Sequence, residues 1–148
     1  MVVLFFHIAA AIAWFGSSIF ITAVMLPALR RMSAGGRDEY IKALTVASKR
    51  FFPIAGGLTV LLGIVRGLLF GLDLNSAYGK TYVAAAVFGV GLLVYGAVVT
   101  GGNVGRMAAA TAGPAQEVAL ERGARFGRFE LAGFFVLLAM MIAMRFGY

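Results

Sequence analysis

Four long apolar stretches set the pattern of this chain. They are separated by short segments that hold most of its charges. The first is uncharged from Met1 to Leu29 and closes on Arg30 and Arg31. A helix of that length rises roughly 40 Å, enough to cross a bilayer with some tilt. Its less apolar positions, His7, Ala11, Trp14, Ser18, Thr22 and Met25, recur at steps of three or four and share one helical face. Lipid cannot satisfy such a stripe, so it is expected to face other helices or a cavity.

The later stretches predict spans at about 51–72, 80–103 and 126–146, after the first at 2–29. Ser33-Ala34-Gly35-Gly36 reads as a turn. Arg37–Arg50 then reads as a short helix, on the membrane surface or extending the second span inward, with Tyr40, Ile41 and Leu44 on one side. Pro53 stands near the start of the second span, where proline is tolerated. Gly63, Gly67 and Gly71 repeat every fourth residue, the small-xxx-small spacing that lets membrane helices approach closely. In the third span Tyr82, Ala86, Gly89, Leu93, Gly96, Thr100 and Asn103 form one small and polar face. A turn is expected at Ala112-Gly113-Pro114, with Pro114 opening a polar helical stretch that runs into the fourth span. The expected architecture is an all-α, up-down-up-down four-helix membrane bundle forming one domain over residues 1–148.

Composition agrees. The chain is 61% hydrophobic over 148 residues, with a mean hydropathy of +0.94. Soluble domains lie near 45–50% apolar. The absence of cysteine excludes disulfides, thiolate metal sites and iron–sulfur clusters. The net charge of +7 is read as span-flanking cations, with the bilayer rather than nucleic acid as partner. Arg30, Arg31, Arg37, Lys42, Lys49, Arg50, Arg106, Arg122, Arg125 and Arg128 fall on one side; Lys80, Arg145 and Arg66 fall on or toward the other. That bias predicts a multi-pass cell-membrane protein with Arg37 and Arg122 cytoplasmic, Ser76 outside, and both termini outside.

This topology gathers His7, Arg66, Lys80, Tyr82, Met140, Met141, Met144 and Arg145 in the outer half. The inner half offers only Thr100, Asn103 and Glu130. His7 is either a haem or metal ligand or a hydrogen-bonded packing residue. Trp14 reads as core packing, with a porphyrin face as the alternative. Arg66 and Lys80 suit carboxylates such as haem propionates; otherwise Arg66 pairs with Asp73 and Lys80 snorkels. The three methionines suit Cu(I) or a haem axial position, and equally fill apolar gaps.

The pattern H-x6-W-x-G, here His7, Trp14 and Gly16, followed by a proline and basic residues, resembles the first helix of CopD-like membrane proteins. It is also similar to membrane protoporphyrinogen oxidases of the HemJ type. Lys80, in Tyr78-Gly79-Lys80, resembles a lysine opening the third helix of both groups, and Arg50–Pro53 fits small four-helix relatives. The resemblance implies a b-haem redox or electron-transfer protein, in enzyme form a haem-dependent membrane oxidoreductase, exchanging electrons with a quinone or porphyrin. It would hold haem through His7, with Trp14 and Lys80 beside it, and the topology adds Arg66, Tyr82 and Arg145 around it. One histidine cannot give two imidazoles to one haem. The second axial place then falls to a methionine, to water, or to His7 of a second chain in a symmetric homodimer. Two other readings of the residues stay open. One is a copper module binding Cu(I) through His7, Met140, Met141 and Met144. The other is a cofactor-free structural membrane protein.

Overall fold

The computed structural model describes residues 1–69, 71–110 and 113–147. Among these there is no strand; four helices, each long and apolar enough to cross a membrane, make up nearly the whole chain. They are α1 (Val2–Leu29), α2 (Ala34–Leu69), α3 (Ala77–Ala109) and α4 (Pro114–Arg145).

Several boundaries differ from or refine the sequence expectation: α2 begins at Ala34, inside the turn expected at 33–36, and α3 runs over Ala77–Ala109 where 80–103 was expected. The segment Arg37–Arg50 and the second span form one continuous helix, so the inward extension, not a separate surface helix, is what the chain adopts. Pro53 therefore lies well inside α2 instead of near its start. It deprives the Lys49 carbonyl of its usual donor, since proline has no N–H. Within this segment Arg37, Ile41 and Thr45 are buried while Tyr40 is exposed. At its far end α2 stops at Leu69, short of the expected Leu72. Phe70 lies outside the described residues, and Gly71 has φ +66°, a conformation that glycine adopts without a Cβ penalty. Gly71 is thus a turn residue and not a third member of a helix–helix contact. Of the expected turn at 112–114, Ala112 also lies outside the described residues; Pro114 opens α4 as its composition predicts.

Ser76 caps α3. Its Oγ accepts from Gly79 N at 3.0 Å and donates to the Asp73 carbonyl at 2.6 Å. Two five-residue π-helical stretches interrupt the α geometry, Ile21–Met25 in α1 and Gly96–Thr100 in α3. The first ends just ahead of Pro27, and the Leu26 N–H reaches back to Ile21 O. Both stretches contact α4.

Each helix contributes to two apolar clusters. One joins Leu26 and Leu29 of α1, Ile41 of α2, Met107 of α3 and Leu120 of α4. The other joins Trp14, Ala55, Leu92 and Phe134, again one from each helix. Glu130 lies between them along α4. The polar stripe of α1 points inward as expected: Trp14, Ser18 and Met25 are buried, and His7, Ala11 and Thr22 are half-buried. Phe5, Ile8, Ile12 and Ile19 on the other face are exposed. Were the bundle in lipid, burial of apolar surface would give its helices little drive to associate, and close packing and hydrogen bonds would have to hold them. Glycines supply that closeness. A Cβ at Gly56 would sit 3.1 Å from the Trp14 ring, and one at Gly127 would sit 2.4 Å from Thr22 Oγ1.

Candidate functional site

Two glycines of α2 open its surface to rings from both neighbours. Gly63 admits His7 of α1: a Cβ there would lie 3.0 Å from the imidazole Cε1. Gly67 admits Tyr82 of α3: a Cβ there would lie 2.2 Å from the ring Cζ. With its ring seated on Gly63, His7 brings Nδ1 to 2.8 Å from the Thr59 carbonyl. A carbonyl only accepts, so Nδ1 carries the proton, and in the neutral ring Nε2 keeps the lone pair. Tyr82 donates its hydroxyl to the carbonyls of Gly63, at 2.5 Å, and Ile64, at 3.1 Å. Arg66 stands on the same stretch of α2, between Gly63 and Gly67.

His7, Arg66 and Tyr82 are therefore brought together around two turns of α2. The remaining sequence candidates are placed differently. Trp14 is only 2% exposed and meets Phe134 edge-on, at 4.8 Å between ring centroids and 87° between planes, which makes it a core residue. Lys80 and Arg145 are exposed. Met140, Met141 and Met144 are half-buried on α4. Among the described residues no group of three or more His, Cys, Asp or Glu gathers in a way that could hold a bare metal ion.

The opposite half is more polar than the sequence suggested. Glu130 is buried, takes a hydrogen bond from Thr100 Oγ1 at 2.8 Å, and lies against Gly96, so it faces the π stretch of α3. A lone acid in the run 129–144 was the available signal, because an ionisable group inside an apolar span is costly and has a reason to be there. Asn103 donates to the Ala119 carbonyl at 2.8 Å. Gln116, fully buried, donates to Asp38 Oδ1 at 2.5 Å. Arg37 forms an ion pair with Glu117. These last partners lie about 80 positions apart, and nothing local in the sequence links them.

The His7 cluster can ligate or take a proton at Nε2, with the Arg66 cation on the same stretch of helix, while the one Tyr82 hydroxyl proton is already shared by backbone carbonyls. No family model matches the chain, and neither a curated protein nor a solved structure matches it.

Proposed function

We propose that this chain is an up-down-up-down, four-pass membrane protein that binds b-type haem through His7 and takes part in electron transfer with a quinone or porphyrin. The observation that carries the reading is the His7–Thr59 contact. An imidazole whose Nδ1–H is held by a carbonyl presents Nε2 in a fixed direction, the arrangement characteristic of histidine ligands. A bare ion asks for several protein ligands, whereas a porphyrin brings four of its own, so a single oriented imidazole suits the latter. Haem, when bound, supplies one-electron redox chemistry. Arg66, and Lys80 and Arg145 if they turn inward, offer cations for its carboxylates. Counted from the Trp14–Phe134 contact, His7 and Met141 each lie seven residues further along, about 10 Å by helical rise, so Met141 is the α4 methionine that would stand level with His7 to help hold the group. The likeness of His7, Trp14 and Gly16 to CopD-like and HemJ-type first helices supports the same reading.

The purified protein, from cells supplied with a haem precursor, is expected to show a Soret band. His7→Ala should abolish that band while far-ultraviolet dichroism stays helical. Unchanged haem content in His7→Ala would overturn the proposal, as would a colourless parent protein.

The arginine-rich ends of the helices are proposed to face the cytoplasm, with both termini outside. α2 is about 54 Å long by helical rise, well beyond a hydrocarbon core of about 30 Å, so its first turns project from the membrane. In intact cells, a membrane-impermeant thiol reagent should label Asn75→Cys and spare Lys42→Cys, since the native chain has no cysteine to interfere. The reverse labelling pattern would sink the orientation.

A further inference from the structure

At the arginine-rich end a cavity of about 750 Å³ opens between α1 and α4. Arg30 at the end of α1 faces Arg122, Arg125 and Arg128 of α4 across it, over Thr22 and Pro27. Glu121 also borders it, so four cations meet one carboxylate there. A span-flanking role asks only that cations lie near the interface. It does not ask that they converge from two helices on one hollow, where like charges repel unless an anion sits among them. Arg31, Arg50 and Arg106 flank spans as well and do not line the cavity.

A second cavity of about 330 Å³ shares Arg125 and Arg128 and continues to Phe129 and Ala132. Phe129 is 65% exposed, on the apolar outer surface of α4. The charged hollow thus runs directly onto a surface fit for hydrocarbon. Arg128 is directed along this wall by the hydrogen bond from its Nε to the Ala124 carbonyl at 3.3 Å.

We propose that this groove binds the phosphate-bearing headgroup of an anionic phospholipid, with an acyl chain lying along Phe129 and Ala132. Guanidinium groups pair with phosphate oxygens through two parallel hydrogen bonds, and basic pockets between membrane helices are suited to such headgroups. The continuity between charge and apolar wall selects a lipid over a soluble phosphate, which would use the arginines alone. The inference rests on the membrane placement proposed above and is independent of haem.

The test titrates the detergent-solubilised full chain with dioleoyl phosphatidylglycerol, dioleoyl phosphatidylcholine or inorganic phosphate, following bound lipid by native mass spectrometry and the melting temperature in parallel. Phosphatidylglycerol should bind and raise the melting temperature, with phosphatidylcholine and phosphate without effect. Arg125→Gln with Arg128→Gln should weaken phosphatidylglycerol binding about thirty-fold, at the contribution usual for two interfacial cations. Arg50→Gln with Arg106→Gln removes the same charge outside the groove and should leave binding close to that of the unaltered chain. If the first pair does not fold, Arg30→Gln with Arg122→Gln must give the same loss. Equal weakening by groove and control pairs would overturn the site in favour of diffuse surface charge. Equal response to the two lipids would overturn headgroup recognition, and an equal response to phosphate would overturn the lipid as ligand. Failure of the membrane placement itself would appear separately, as release of the protein from membranes by alkaline carbonate.

Discussion

Gly79→Ala is expected to cost about 3 kcal/mol, the upper part of the range for forced overpacking. A Cβ on Gly79 would lie 2.0 Å from the Asp73 carbonyl oxygen, 2.8 Å from its carbon and 2.9 Å from Leu74 Cα. All three are main-chain atoms and cannot swing aside as a side chain can. The oxygen is also anchored, because it accepts from Ser76 N at 3.2 Å and from Ser76 Oγ at 2.6 Å. Relief therefore means breaking the cap of α3 or moving the whole α2–α3 connection. At 2–4 °C per kcal/mol for a chain of about this size, the melting temperature in detergent should fall by roughly 6–12 °C. Gly57→Ala is the matched control, since a Cβ there meets nothing within 4 Å. Equal melting temperatures for the two variants would show that the connection is looser than described.

Glu117→Ala should destabilise far more than Arg37→Met, although both break the same ion pair. The Arg37 side chain is 9% exposed and the Glu117 side chain 49%. Arg37 Nε is already buried with no hydrogen-bond partner among the described residues. Removing the carboxylate strands a guanidinium away from water; removing the guanidinium returns a carboxylate to it. Loss of one partner of a fully buried pair costs about 3–5 kcal/mol, and replacing the buried ion by an apolar side chain is often neutral. Because solvent reaches Glu117, about 2–3 kcal/mol is expected for Glu117→Ala, and less than about 1 kcal/mol for Arg37→Met. In the Arg37→Met background Glu117→Ala should then add little. Equal losses from the two single variants would mean that the buried charge is not the source of the cost.

The number of helices and their inward faces were legible because outward-facing and helix-facing positions differ so strongly. The stripe through His7, Trp14 and Ser18 and the stripe through Tyr82, Gly89 and Asn103 both point inward. Gly63 and Gly67 were legible as close-contact positions, though not as seats for His7 and Tyr82, because spacing says nothing about which ring arrives. Whether Arg37–Arg50 joins the second span stayed open, because polarity changes at Phe51; the helix in fact runs on across Pro53 with one hydrogen bond fewer. The polar junction of Arg37, Glu117, Gln116 and Asp38 was hidden because its members read individually as ordinary span-flanking residues. Gly79 was hidden for another reason. Its constraint comes from a carbonyl six positions earlier, and a glycine in a helical first turn has no pattern that reveals it.

The π stretch Gly96–Thr100 has a consequence for how length changes are tolerated. A single π turn holds one residue more than the α-helix around it, while the helix on either side keeps its faces in phase. Deleting Val98, which is 69% exposed, should therefore shorten the loop-out and leave a plain α-helix, with Tyr82 and Asn103 still facing their partners. The same deletion at Val87, equally exposed but in regular α-helix, would rotate everything beyond it by about 100°. Asn103 and Met107 would then turn outward and exposed valines inward. α3 carries a spare residue at one point along its length, and a folded ΔVal98 beside an unfolded ΔVal87 would locate it.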